Sequence, residues 1–242
     1  MVRKNRVKAK IGTGEKAFGC IFTFPCLQIV EMVGLLGYNF IFIDGEHGTF
    51  SLGDIEEMCM LADRMGMTVL ARVPNNHPST ILRFLDRGVM GILGPHIVSR
   101  ADVENLVRAC KFAPEGIRSF TGHRVVDYGV QENMDLPALM KEANQEVMVS
   151  ALIEDAEALK NLPEILTVDG LDVLSFGPND LAQSMGYVGQ PDHPDVRKAT
   201  QRAIEQIRAS GKTFGGDLMA ELRITSELVQ VARDFIRKGG RR

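Results

Sequence analysis

Phe40-Ile41-Phe42-Ile43-Asp44-Gly45-Glu46-His47 is the stretch on which the fold turns. Its first half is an unbroken apolar run too short for a helix, the mark of a strand buried on both faces in a parallel sheet. Its second half is polar and turn-forming, so the strand stops where chemistry can begin. Runs of the same type recur along the chain at residues 18–24, 68–73, 91–98, 146–154, 172–180 and 212–218.

Between most of these runs the apolar residues take a helical spacing. Ile55, Met58, Cys59, Ala62 and Met65 share one face, as do Val103, Leu106, Val107 and Cys110, and again Leu228, Val231, Ala232 and Phe235. Ser51 and Ser99 stand where N-caps are wanted, and Gly66, Gly88 and Gly211 where a helix ends on a left-handed residue. Seven strands alternating with helices, without a glycine-rich dinucleotide fingerprint, predict an α/β (β/α)8 TIM barrel rather than a doubly wound sheet. Leu222-Arg223-Ile224-Thr225 is the run available for the eighth strand. After Gly215 the chain reads one strand–helix unit short, an abbreviated C-terminal end. No repeat or linker divides residues 1–242, which are expected to form a single barrel domain.

Composition narrows the function. Apolar residues make up 45% of the 242 and charged residues 24%, enough for a large core, and the formal net charge of −3 is spread along the chain. No basic stripe points to nucleic acid, and Arg3-Lys4 and Arg241-Arg242 read as solvated tails. Pro25, Gln28, Glu31 and Asn39 interrupt the apolar segment from Cys20 to Ile43, which excludes a membrane span there. The basic start lacks the core of a signal peptide. Cys20, Cys26, Cys59 and Cys110 include no C-x-x-C pair and read as reduced structural thiols, so a cytoplasmic protein is expected.

In a barrel, catalytic side chains gather where strands end. Here the second strand ends on Asp44-Gly45-Glu46-His47, the third on Arg72, the fifth on Glu154 and the sixth on Asp180. Each alone has a bland reading as a cap, a turn former or a surface charge. Five such groups converging on one rim are a different matter. Glu154 and Asp180 form a hard-oxygen pair suited to Mg2+ or Mn2+ and poorly suited to zinc. Gly177-Pro178-Asn179-Asp180-Leu181 makes a turn whose backbone N–H groups can receive a carboxylate. Arg72 offers a planar fork of donors for an oxyanion, His47 moves a proton near neutral pH, and Asp44 lies close enough in sequence to orient it. The set suits enolate chemistry on a 2-oxo acid, with cation and arginine sharing the developing charge. No lysine lies near the C-terminal ends of these strands, which disfavours a Schiff base.

Phe42-Ile43-Asp44-Gly45-Glu46-His47-Gly48, Ala71-Arg72-Val73-Pro74, Ile153-Glu154 and Phe176-Gly177-Pro178-Asn179-Asp180-Leu181, in that order, resemble the class II pyruvate-dependent aldolases typified by the 4-hydroxy-2-oxoheptanedioate aldolases. Residues 88–95 and 184–187 agree, and the resemblance runs from about Gly19 to Gly215. It implies a divalent metal (Mg2+, Mn2+ or Co2+) on Glu154 and Asp180, enolate stabilisation by Arg72, and His47 as acid/base directly or through a water. It implies substrate contacts along Gly177, Pro178, Asn179 and Asp180. It also implies a hexamer of paired trimers with the terminal helix exchanged, and an aspartate lent by a neighbouring subunit that falls here on Asp86. Without the family, Asp86 is a solvated helix charge.

The implied reaction is reversible cleavage of a 4-hydroxy-2-oxo acid to pyruvate and an aldehyde. The alternatives are oxaloacetate decarboxylation, a CoA-thioester lyase (for which no adenine-binding features are found) and a non-catalytic metabolite-binding barrel. The chain departs from the family pattern at Leu152, where many members carry Gln, at Asn179, and at Ser119 after Pro114-Glu115-Gly116-Ile117-Arg118. These changes bear on the acceptor aldehyde and leave the proposed proton-transfer and metal-binding residues in place.

Overall fold

The computed structural model describes residues 2–130 and 132–240. Eight strands, β1 Ala17–Phe22, β2 Phe40–Asp44, β3 Thr68–Arg72, β4 Gly91–Gly94, β5 Met148–Ile153, β6 Val173–Phe176, β7 Thr213–Phe214 and β8 Met219–Arg223, form one parallel sheet curled into a barrel. The order is β7-β6-β5-β4-β3-β2-β1-β8, so each strand lies beside its sequence neighbour and β8 returns to β1. The register sets Asp44 opposite Arg72 and Arg72 opposite Leu93.

Side chains alternate across the wall with the period of a strand. Ile41, Ile43, Val69, Ala71, Ile92, Val149, Ala151 and Ile153 face outward into the main core beneath the helices. Ala17, Ile21, Phe40, Phe42, Leu70, Met148 and Val173 face inward and fill the barrel. The same parity carries the inward columns up to Asp44, Arg72 and Glu154. These polar residues are therefore the top layer of mostly apolar columns, in which Thr68 and Ser150 are the further polar members on β3 and β5.

The lower end is closed by a helix that the sequence did not announce, Arg6–Gly12, whose Val7 is fully buried among the inward-facing residues. Asn5 caps it through Oδ1, which accepts from the N–H groups of Val7 and Lys8, and its Nδ2 donates to the carbonyls of Met90 and Glu146. Arg3 and Lys4 accordingly are not a solvated tail. Arg3 pairs with Asp63 at 2.8 Å, and Lys4 reaches Glu142 and Glu146 at 2.9 and 3.0 Å. Arg241 and Arg242 lie outside the described residues.

The helix signals hold. Ser51 with Asp54, and Ser99 with Asp102, close reciprocal capping boxes. Gly66, Gly88 and Gly211 take φ of +73°, +110° and +80°. The spacing of Leu228, Val231, Ala232 and Phe235 does mark a helix, Ile224–Lys238, but its apolar face does not pack on the barrel of its own chain, and Phe235 stays 78% exposed.

The C-terminal end differs from the sequence reading. The eighth strand is Met219–Arg223, and Ile224 and Thr225 open the final helix instead of ending the strand. Neither the eighth strand nor its helix is missing. What is short is the seventh unit: β7 has two residues, followed by the four-residue helix Gly215–Leu218. A parallel crossover ordinarily takes about a dozen residues or more. The chain meets this limit by leaving β7 at the base of β6, Thr213 opposite Val173, and starting β8 at the base of β1, Met219 opposite Ala17. No ladder joins β7 to β8 among the described residues, so the helix Gly215–Leu218 spans the seam.

Candidate active site

The C-terminal ends of the strands surround a cavity of about 330 Å³. Asp44, His47, Arg72, Glu154 and Asp180 all line it, as do Gly177, Pro178 and Asn179, so the groups read from the strand ends converge on one space. Leu152 also contributes to the wall.

Arg72 is the most constrained of these. Its Nε and Nη2 donate to Asp44 Oδ1 and Oδ2 at 3.0 and 2.7 Å, and Nη1 lies 2.9 Å from Glu46 Oε2. The guanidinium is fixed as a planar fork with its remaining hydrogens free for the cavity. Burial alone would push the Asp44 carboxyl up, but the paired Arg72 outweighs it and, with the N–H groups of Glu46 and His47, holds it below the ordinary carboxylate range. Asp44 thus belongs to Arg72. It orients His47 only through the backbone, Oδ1 accepting from the His47 N–H at 3.2 Å. The His47 ring is 66% exposed, with Glu46 Oε2 3.9 Å from its Nε2.

Glu154 is 2% exposed. Burial pushes its carboxyl up; the backbone N–H and ring of His96 oppose that rise, and the charges of Glu46 and Asp180 add to it. Its Oε1 accepts from the His96 N–H at 2.8 Å and lies 3.3 Å from His96 Nδ1. The N–H reaches it because His96 adopts φ +50°, a left-handed conformation uncommon outside glycine. Oε2 rests against Gly177, where a Cβ would stand 2.5 Å away. Residues 177–180 are not a free turn: Gly177 is the N-cap, and Pro178, Asn179 and Asp180 the first turn, of the helix Pro178–Ser184.

Four polar residues at or beside this site were not singled out from the sequence. Glu46 stands within the opening motif, and His96 follows the end of β4 by the same strand-end logic, its Nε2 3.5 Å from Glu46 Oε1. Glu221 and Arg223 line the cavity from β8. They were overlooked because a strand placed three residues late gives β8 the wrong register.

Asp86 is absent from the cavity lining. It ends the helix Pro78–Asp86, which runs from the rim back toward the start of β4, and its Oδ1 accepts from Arg118 Nη2 at 3.2 Å. With its side chain 13% exposed and that of Arg118 4%, the pair is largely buried, so Asp86 is no solvated helix charge.

Fold and site together define an enzyme of the α/β-barrel class, with a polar cavity for a small molecule at the strand ends. The chain belongs to the HpcH/HpaI aldolase/citrate lyase family, whose model matches residues 27–240. The aldolases of this family are carbon–carbon lyases. The chain is 31% identical over 239 residues to a hydroxypyruvate/pyruvate aldolase of Roseobacter denitrificans, covering 96% of this chain and 91% of that protein. It is 30% identical over 236 residues to a 4-hydroxy-2-oxo-heptane-1,7-dioate aldolase of Escherichia coli, covering 98% and 88%. Its fold matches the crystal structure of an HpcH/HpaI aldolase from Desulfitobacterium hafniense with a TM-score of 0.88, at 24% identity over 96% of this chain and 95% of that one.

Proposed function

We propose that this chain is a metal-dependent aldolase that reversibly cleaves a 4-hydroxy-2-oxo acid to pyruvate and an aldehyde. The observation that carries the proposal is the clamping of Arg72 by Asp44 and Glu46 over the cavity that Glu154 and Asp180 also line. A divalent cation suits this donor set. Glu154 is a buried carboxyl whose ionisation is opposed by burial and by two neighbouring acids, a cost that a positive charge relieves. The described residues hold no group of three or more His, Cys, Asp or Glu able to bind a metal by themselves, so Glu154 and Asp180 would share the ion with water and substrate oxygens. When bound, Mg2+, Mn2+ or Co2+ would act as a Lewis acid toward the 2-oxo acid.

The protein's residues do the rest. Arg72 directs its free N–H groups at the oxygen on which negative charge gathers as the C3–C4 bond breaks. Its carboxylate clamp removes the need to reorganise at that moment. His47, exposed at the mouth, takes the proton of the C4 hydroxyl and returns one to C3, directly or through a water. Glu154, held by the His96 N–H and the bare Gly177 backbone, stays on the rim in one orientation. Asn179 and Leu152 bound the acceptor side.

The same proposal takes residues 1–242 as one barrel domain. It places Asp86 in a neighbouring subunit's site within a hexamer, and the protein in the cytoplasm. Free thiols at all four cysteines support a reducing compartment, and none of the described helices is long and apolar enough to cross a membrane. The test is pyruvate release from a panel of 4-hydroxy-2-oxo acids, with Mn2+ and with a chelator, beside deuterium exchange at C3 of pyruvate. Metal-dependent release and exchange are expected. Neither exchange nor release under any condition overturns the proposal.

A further inference from the structure

β8 brings a charged pair into the cavity for which the catalytic scheme has no use. Met219, Glu221 and Arg223 alternate along the strand and all line the cavity with Arg72 and Glu154. Arg223 is the last residue of β8 and lies opposite Ile21, itself an inward-facing residue. It therefore sits at the rim end of its column, where Asp44 and Arg72 sit on theirs.

Two observations set Arg223 apart. The first is its freedom. Of the two arginines lining the cavity, Arg72 is committed to Asp44 and Glu46, whereas Arg223 makes no hydrogen bond or close ion pair with the described residues. It acts on Glu221 only through its charge, which opposes the upward push of burial on that carboxyl. The remaining charges on the wall are mostly acidic: Asp44, Glu154, Asp180 and Glu221. An anionic group that arrives away from the free N–H groups of Arg72 meets repulsion unless it lands on Arg223. The second is the seam. β7 stops after pairing with Val173 and Leu174, so Ser175 and Phe176 have no strand beside them on that side, and β8 has a ladder only to β1. Glu221 and Arg223 are exposed as a result, although they occupy inward-facing positions. The guanidinium has room to meet a ligand end that projects from the strand-end site toward the seam.

We propose that Arg223 binds the far carboxylate of the acceptor aldehyde, so that this enzyme selects aldehydes carrying a second, anionic end over neutral ones. Glu221, one inward position deeper, leaves Arg223 as the landing point for that carboxylate and resists its slipping further into the barrel. The inference rests on the aldolase reading, because it presumes that pyruvate occupies the Arg72 side of the cavity. It makes Arg223 a specificity residue and gives it no part in bond breaking.

The experiment compares wild type, Arg223→Met and Arg223→Lys in the condensation direction. Pyruvate and Mn2+ are held fixed, with succinic semialdehyde as the anionic acceptor and propionaldehyde as the neutral one. Wild type is expected to favour the anionic acceptor in kcat/KM. Arg223→Met should shrink that preference about tenfold or more, chiefly through KM, and Arg223→Lys should recover part of it by keeping the charge without the planar fork. Melting temperatures taken alongside exclude a general loss of fold. Equal losses on both acceptors, or an unchanged preference in Arg223→Met, overturn the role of Arg223 while leaving the aldolase reading intact. Absence of C3 deuterium exchange into pyruvate by the wild type removes the aldolase reading, and this inference with it.

Discussion

At the scale of single residues, sequence position and inward parity together say more than either does alone. Asp44, Arg72 and Glu154 were legible because each ends an apolar strand, and parity then turns each toward the cavity. The partner of the His47 ring was not legible from spacing, because Asp44 lies near in sequence but is spent on Arg72. His96 was hidden by a loop conformation that pattern does not report. Arg72→Lys keeps the charge but loses the fork held by two carboxylates, and turnover should fall roughly a hundredfold or more with a smaller change in KM. A near-normal kcat would make the arginine structural. The pH behaviour separates the two buried acids. Asp44 is depressed in the fold, so its stabilising share is complete above the ordinary aspartate pKa and is lost as pH falls through its lowered value. Glu154 is raised, so its cost appears as pH climbs through its folded value and persists at neutrality. Thermal melts of metal-free protein should therefore show Glu154→Gln more stable than wild type near pH 7.5, with the gap closing toward pH 4. Mn2+ should raise the wild-type melting temperature but not that of the variant. A variant less stable than wild type at both pH values contradicts this account.

At the scale of elements, the strands and caps followed from local chemistry, and the C-terminal register did not. Short apolar runs bounded by turn residues placed β1 to β6 correctly, since both faces of those strands are buried. β8 was placed late because Met219–Arg223 carries two charges on an inward face, a pattern that suits a solvent edge better than a barrel interior. The helix Arg6–Gly12 was missed because its plug is a single buried valine, too little for a periodic signal. The helix signals permit a control that keeps every side chain lining the cavity in place. Ser99→Ala removes the side-chain half of a capping box, the bond from the Asp102 N–H to Oγ, while the Ser99 N–H still donates to Asp102. The change should cost about 1 kcal/mol, read as a melting shift of roughly 2–4 °C with kcat unchanged. Gly177→Ala tests the opposite case. A methyl group there meets Glu154 Oε2 at 2.5 Å, so the carboxylate must turn away. Metal activation should fall at least tenfold while the melting temperature moves little, and unaltered activation would show that the bare backbone is not needed.

At the scale of the whole molecule, barrel closure was the least legible feature, because it depends on a ladder between β1 and β8 that joins opposite ends of the chain. Assembly lies beyond it again, and two surfaces point there. The final helix leaves Leu228, Val231 and Phe235 exposed at 62%, 64% and 78%, a continuous apolar face that its own barrel does not cover. Asp86 ends a helix that runs away from the rim, so within one chain it cannot serve His47. If it completes a neighbour's site, activity requires oligomers. If it only balances Arg118, its loss leaves a largely buried guanidinium without its counter-ion and lowers stability without changing the chemistry. Asp86→Asn separates these roles better than Asp86→Ala, since the amide oxygen still accepts from Arg118 while the charge is gone. Asp86→Asn and His47→Ala proteins, each weakly active alone, should regain activity when dissociated and reassembled together. Some sites would then combine an intact His47 from one chain with an intact Asp86 from another. With random mixing, recovery should peak near equal proportions and track the oligomer fraction on a sizing column. Full activity in dilute wild-type monomer, or reassembled mixtures no more active than their parts, would leave Asp86 with its structural role alone.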